Sequence, residues 1–271
     1  MEINKLKTMK EQVTDLILSI KEEGITSILE SESLKALVTE LAKQVTTEET
    51  SLLLGSLFGA IAPRVNGIVL SYKQNRFERN TKAMIEALIA RIELLERNYS
   101  QLNPEMQENY RTQYIEMLLD NVIDERQVEK VKWNVNGFIN LMTDESNENI
   151  MQMFFDTLSE LTVLDIDTLR MYELSSDINI TDVVDKYGIN YDQVKLVKEK
   201  LVRLGLLSRK NDEVRDANLD EITVYLQNLE KDLKKKNPKG VKLSNKVKKI
   251  SGNESYRITR LGVGFLKSIG E

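Results

Sequence analysis

Residues 180–207 read ITDVVDKYGINYDQVKLVKEKLVRLGLL, and this stretch decides the fold of the C-terminal third. Thr181 is placed to cap a short helix running through Tyr187, because a hydroxyl at that position accepts from the free amides of a first turn. Gly188-Ile189-Asn190 reads as a tight turn, with glycine where a helix commonly ends at positive φ. A further helix over 191–204 sets Val194, Val197, Leu201 and Leu204 on one face. Gly205 stops it, and Leu206-Leu207 opens a strand. Upstream, Thr162-Val163-Leu164-Asp165 has the spacing of a capping box and starts a helix through Leu169 and Tyr172. Downstream, Tyr256-Arg257-Ile258-Thr259-Arg260-Leu261-Gly262 reads as a strand running into a last helix capped by Thr259.

Between those strands, residues 218–236 form a helix with Leu219, Ile222, Leu226, Leu229 and Leu233 three and four residues apart. At the other end of the chain, residues 3–23 carry Leu6, Met9, Val13, Leu16 and Ile20 at the same coiled-coil-like spacing. A lone helix does not keep such a seam in water. Both seams are therefore expected oligomerisation sites, and the chain is expected to form a homodimer or a higher assembly.

The first 160 residues read as a helical bundle. A helix is expected over 25–45, and Thr46 facing Glu49 suggests a capping box for the next one. Residues 51–70, SLLLGSLFGAIAPRVNGIVL, are apolar with Gly55 and Gly59 at a small-xxx-small spacing. Pro63, Arg64 and Asn66 interrupt the run and leave about 12 clean residues, short of the roughly 20 that span a bilayer. The segment is expected inside the bundle, with both glycines at a close helix crossing; a membrane-inserting effector is the alternative. A long helix over 64–98 follows, then one starting near Pro104, one capped by Asp124, and one over 148–160. The expected fold is mainly α, with a bundle at 1–160 and a second domain at 161–271.

Composition sets further bounds. Cysteine and histidine are absent from the 271 residues, which removes thiol nucleophiles, Cys or His metal sites and the usual general base near neutral pH. Twelve Gly and three Pro are too few for turn-rich β architectures. No phosphate-binding or nucleophile-elbow glycine motif occurs. Asp165 and Asp167 read as acids at a helix N-terminus, which favour its dipole, rather than as a metal pair. No catalytic residue, metal or cofactor is expected, and the protein is expected in the cytoplasm because Met1 to Lys5 contains no apolar signal core. The net charge of −5 is uneven: residues 231–249 hold nine Lys against one Asp, a local +8 on a body that carries −13. A basic tract on an acidic body suits an anionic partner such as DNA.

The order of elements around LVRLGLL and YRITRLG resembles winged helix-turn-helix domains, with a helical insertion between the wing strands. The resemblance implies a third helix that enters the major groove. The matching positions here are Asp192, Gln193, Lys195, Leu196, Glu199 and Lys200, and the wing tip is Ser208 to Asp216. Two carboxylates and a leucine suit a phosphate-lined groove poorly. The candidate nucleic-acid contacts are therefore Gln193, Lys195 and Lys200 on the helix, Arg209 and Lys210 on the wing, and above all Lys234, Lys235, Lys236, Lys248 and Lys249 of the lysine tract.

The middle of the chain resembles the abortive-infection alpha-type proteins of bacteria and phages. The resemblance rests on Ser71-Tyr72-Lys73-Gln74-Asn75-Arg76-Phe77, on Ile123-Asp124-Glu125-Arg126 with Trp133 and Phe138-Ile139-Asn140-Leu141-Met142, and on Phe155, Leu158, Leu161 and Asp165. It implies a helical protein with a role in phage defence and brings no catalytic residues with it. The expected function is a non-catalytic DNA-binding regulator of bacterial or phage origin, with a protein-binding adaptor or phage-defence factor as the alternative and a membrane-active effector through residues 51–70 as the second.

Overall fold

A computed structural model describes residues 32–66, 71–143, 147–174, 176–237, 239–242, 247–250 and 254–270. The N-terminal seam of Leu6, Met9, Val13, Leu16 and Ile20 lies outside the described residues. Regular structure among the described residues is helical apart from one two-stranded sheet. The chain divides into two compact units, Met1–Val163 with Phe265–Glu271, and Leu164–Gly264. The sequence reading sets its boundary at 160 and assigns 161–271 to one domain, whereas the last turn of the chain clusters with the first unit.

The first unit contains α1 (Glu32–Gln44), α2 (Glu48–Asn66), α3 (Ser71–Ala90), α4 (Ile92–Ser100), α5 (Pro104–Asn109), α6 (Ile115–Ile123), α7 (Val128–Asn140) and α8 (Glu148–Glu160). A π-helical turn, Tyr110–Tyr114, joins α5 to α6. Helix α3 is the hub and packs on α1, α6 and α7. Its Phe77, Met84, Ile85 and Leu88 are buried, as are Leu34, Leu41, Tyr99, Leu118 and Val131 on its neighbours and Phe155 of α8, which packs on α6 and α7. Each large apolar side chain removed from water contributes about 1.5–3 kcal/mol. The π turn brings Tyr110 and Tyr114 inward together, edge to face at 4.9 Å, and the Tyr110 hydroxyl donates to the Leu141 carbonyl at 2.8 Å.

Several local expectations change in the structure. The helix expected over 64–98 is broken at Arg91, whose ψ of 19° leaves the helical region. The cap of α2 is Thr47, whose Oγ1 accepts from the Thr50 amide at 3.3 Å. Thr46 instead donates its amide and hydroxyl to Glu96 of α4, each at 2.6 Å, so a carboxylate remote in sequence outcompetes the local one. Asp124 ends α6, and α7 starts after Gln127. Pro104 does open a helix, with Asn103 as its cap.

Residues 48–66 form one helix that buries Leu53, Leu54, Leu57, Phe58 and Ile61. Gly59, however, is exposed, and a Cβ built there would meet nothing within 4 Å. It is not at a helix crossing. Arg64 is satisfied by Glu116 and by Asp120, the latter at 2.8 Å. Among the described residues, no helix is long and apolar enough to cross a membrane.

The second unit contains α9 (Val163–Arg170, entering it at Leu164), α10 (Ile180–Tyr187), α11 (Tyr191–Arg203), β1 (Leu207–Arg209), α12 (Lys210–Leu233), β2 (Tyr256–Ile258) and the start of α13 (Arg260–Ile269). Two capping boxes set the two middle helices. Asn179 with Asp182 opens α10, displacing Thr181 from the cap it was expected to provide, because Asp182 stands three residues after Asn179. Asn190 with Gln193 opens α11. Gly188 (φ +61°) and Gly205 (φ +73°) take the left-handed turns that end these helices. Strands β1 and β2 pair antiparallel, Leu207 opposite Ile258. Thr259 caps α13 by accepting from Gly262 N–H at 3.0 Å and donates to the Gly205 carbonyl at 2.7 Å. Val183, Val194, Leu201, Leu206, Ile166 and Leu169 close the core.

The wing expected at Ser208–Asp216 does not form as a loop. Helix α12 starts at Lys210 directly after β1, eight residues before the expected 218, and ends at Leu233. Its 24 residues make a rod about 36 Å long at 1.5 Å per residue.

Candidate binding surfaces of the C-terminal unit

The basic residues nearest the helix pair are largely occupied by acids of the same unit. Lys200 of α11 donates to Asp165 of α9 at 2.6 Å, and Lys186 of α10 donates to Asp167 at 2.6 Å. The Tyr187 hydroxyl reaches the same Asp167 oxygen at 2.7 Å. Arg209 pairs with Glu199, which also accepts from the Tyr256 hydroxyl at 2.7 Å. Arg257 pairs with Glu213 at 2.6 Å. Asp165 and Asp167 are thus buried acceptors that hold the two middle helices against α9. Among the described residues, no group of three or more carboxylates converges as a metal site would need.

Of the sequence candidates on this face, Gln193 uses its side-chain oxygen to accept from the Asn190 amide at 2.9 Å. Lys200 and Arg209 are spent in ion pairs. Lys195 and Lys210 are exposed. The outer face of α11 also presents Tyr191 and Leu196, 58% and 70% exposed, beside Asp192. Lys198 lies over the rings of Tyr172 and Tyr256, 5.8 and 5.7 Å from their centroids, and burial pushes its ammonium below the usual lysine range. Burial alone pushes the Tyr172 phenol up to about 12.

The lysine tract has a different character. Lys236, Lys239, Lys242, Lys248 and Lys249 are exposed, and Lys234 and Lys235 are exposed while reaching back to Glu230 and Asp232. The segment returning from α12 lies along the helix. Asn218 exchanges two hydrogen bonds with the Lys248 backbone, both 2.8 Å, and Asp232 accepts from the Gly240 amide at 2.7 Å. The Lys235 ammonium, followed by that amide, holds the Asp232 carboxyl below the usual carboxylate range despite its burial. Asn211, Asn218 and Asp232 are buried and Tyr225 is half-buried, all at seven-residue spacing. Two members of this polar stripe, Asn218 and Asp232, bond the returning segment. The sequence reading missed it, although the repeat of seven was available as a signal.

The apolar seam of α12 falls beside that stripe and is open. Leu219, Ile222, Leu226 and Leu233 are 55%, 38%, 55% and 65% exposed, and Leu229 is half-buried. Val247 and Ile250 on the returning segment are exposed as well. No family model, curated protein or solved structure matches the chain.

Proposed function

We propose that the protein acts by binding rather than by catalysis, and that its C-terminal unit is a winged helix-turn-helix variant that holds DNA through the lysine tract. The supporting observation is the contrast in charge availability. Lys200 and Arg209 beside α11 are held by acids of the unit. In contrast, Lys236, Lys239, Lys242, Lys248 and Lys249 are exposed after the end of the long helix and on its return, next to Lys234 and Lys235, which are exposed while pairing locally. Such contacts engage phosphates rather than base edges, so they give affinity without sequence preference. The helix pair then serves as a scaffold, and the role is regulatory through occupancy of DNA.

The test is the salt dependence of binding to a short duplex. Five phosphate contacts at about −0.9 each in the log–log slope imply roughly a 500-fold loss between 50 and 200 mM salt. Changing Lys234, Lys235, Lys236, Lys248 and Lys249 to Gln should abolish binding, while Lys195→Ala should leave most of it. Lys200 is unsuited to this comparison because its removal strands Asp165. If Lys195→Ala weakens binding more than the lysine-tract change does, the proposal is wrong.

A second reading is favoured by one feature, the exposed Tyr191 and Leu196 on the outer face of α11. A phosphate-lined groove has little use for them, whereas a protein partner does. On this reading the protein is an adaptor, and the resemblance to abortive-infection proteins would place it in phage defence. A binding partner lost on Leu196→Asp but kept after the lysine change would establish it.

A further inference from the structure

We infer that the second unit carries a binding site for a small organic monoanion, an apolar body bearing one carboxylate, in a cleft between the turn after α9 and the corner from β2 into α13. The cleft has a volume of about 600 Å³ and opens to solvent. Sites for small molecules commonly fall at about 300–1,000 Å³, with apolar walls and a few polar groups. Tyr172 and Leu174 line this one from the turn, and Ile258 and Val263 line it from the corner. Leu174 is fully exposed and Val263 is 39% exposed, so the chain leaves this apolar surface in water. An apolar ligand body would take it out of water.

The polar groups of the lining select the ligand by what they already do. Thr259 is spent within the fold: its hydroxyl donates to the Gly205 carbonyl and accepts from the Gly262 amide. Arg257 is held by Glu213 at 2.6 Å. Two donors remain. Among the described residues, nothing accepts from the Tyr172 hydroxyl and no acid pairs with the exposed Arg260. The Tyr172 ring is also fixed in place by residues that do not line the cleft. Lys198 lies 5.8 Å from its centroid, and Tyr256 meets it edge to face at 6.5 Å. A donor positioned beforehand costs little ordering on binding. Glu173 limits the charge that fits. It is exposed on the same lining and, among the described residues, has no cation partner. A dianion such as a phosphate monoester would bring a second charge with no open cation to meet it. An alkylamine could use Glu173 but would leave both donors unmet and lie beside Arg260. A carboxylate uses the two donors and adds one charge. This inference rests on the cleft and is independent of DNA binding.

The test uses the full-length chain and a decanoic acid probe with a diazirine at its apolar end. On irradiation, saturable labelling should fall on peptides containing residues 172–174 and 257–263. Unlabelled hexanoate, heptanoate and octanoate should compete, each added methylene strengthening competition about fourfold. Octylamine and inorganic phosphate should not compete. The half-saturating probe concentration should rise about tenfold in Arg260→Gln and about fivefold in Tyr172→Phe, which keeps the ring under Lys198. It should fall about twofold in Glu173→Gln, where a repulsion is removed. All three variants should keep the far-ultraviolet circular dichroism of the unmodified chain, because Glu173 and Arg260 are exposed and the Tyr172 change removes one unpaired hydroxyl. Absence of saturable labelling in the cleft overturns the proposal, as does labelling confined to the exposed leucines of α12. Competition by octylamine that equals octanoate, or an affinity that Arg260→Gln leaves unchanged, also overturns it.

Discussion

Gly137 and Gly59 show how little a residue type says before its neighbours are known. Both are glycines inside helices. At Gly137 a Cβ would come within 2.0 Å of the Phe154 ring, and that ring is held edge to face against Phe155. At Gly59 a Cβ would meet no atom within 4 Å. Gly137→Ala should therefore destabilise the first unit by about 1–3 kcal/mol through overpacking. Gly59→Ala should be neutral or stabilise by about 0.5–1 kcal/mol, since glycine costs that much in a helix interior. Urea unfolding of the two variants checks this, and equal midpoints would show that Phe154 is free to move. The apolar sequence around Gly59 suggested a helix crossing, but the buried side chains fall on another face of the helix.

At the scale of elements, asparagines repeatedly hold the ends of helices remote in sequence. The last carbonyls of any helix lack partners within it. The buried Asn80 amide of α3 donates to the carbonyls of Val122, Ile123 and Glu125 at 2.8, 3.2 and 2.8 Å, ending α6. Asn98 does the same for Ile139 at 3.0 Å, and Asn136 for Ile269 at 2.9 Å. Asn140 reaches Ser268 at 2.8 Å, and Arg91 reaches Gly270 at 3.1 Å. Asn80→Ala should cost about 1–3 kcal/mol, the penalty of burying unpaired polar groups. Asn80→Asp should cost more, because a carboxylate beside three carbonyls opposes the negative end of the helix dipole. Thermal melts that rank Asp above Ala would refute this account. None of these contacts is local, so nothing around residue 80 announces them.

At the scale of the whole molecule, alkaline stability follows from raised phenols, chiefly those of buried Tyr99 and half-buried Tyr172. Burial is the main cause that pushes Tyr99 up to about 12, and it does the same for Tyr172. In the unfolded chain both ionise near the ordinary value of 10. Below pH 10 they are neutral in both states and contribute no pH dependence. Between pH 10 and 12 the unfolded state loses protons that the folded state keeps, so stability should fall with rising pH across that window. Absorbance near 295 nm should show Tyr99 and Tyr172 titrating about two units late in the folded protein, and burial raises Tyr114 and Tyr256 as well. A single transition near pH 10 for all nine tyrosines would mean that burial does not hold Tyr99 and Tyr172 neutral.

Much of this molecule could be read before folding, and the physical boundary is clear. The helical class, the helices around Gly188 and Gly205 and the cap at Thr259 depend on neighbours within a few residues. Periodicity, capping and glycine conformation report such neighbours directly. The lysine tract and the seam of α12 were also legible, as composition and as spacing. What only the folded chain settled was which groups are left over. Lys200 and Arg209 look like nucleic-acid contacts in the sequence, and Asp165 and Glu199 claim them in the structure, across 35 and 10 residues respectively. Asn80 draws no reading from the sequence and is fully buried. Pairing between distant residues depends on where the elements pack, and local pattern does not carry that information. The long α12 follows the same rule: its seam was visible as a stripe of leucines, but its exposure depended on the returning segment binding the polar stripe beside it.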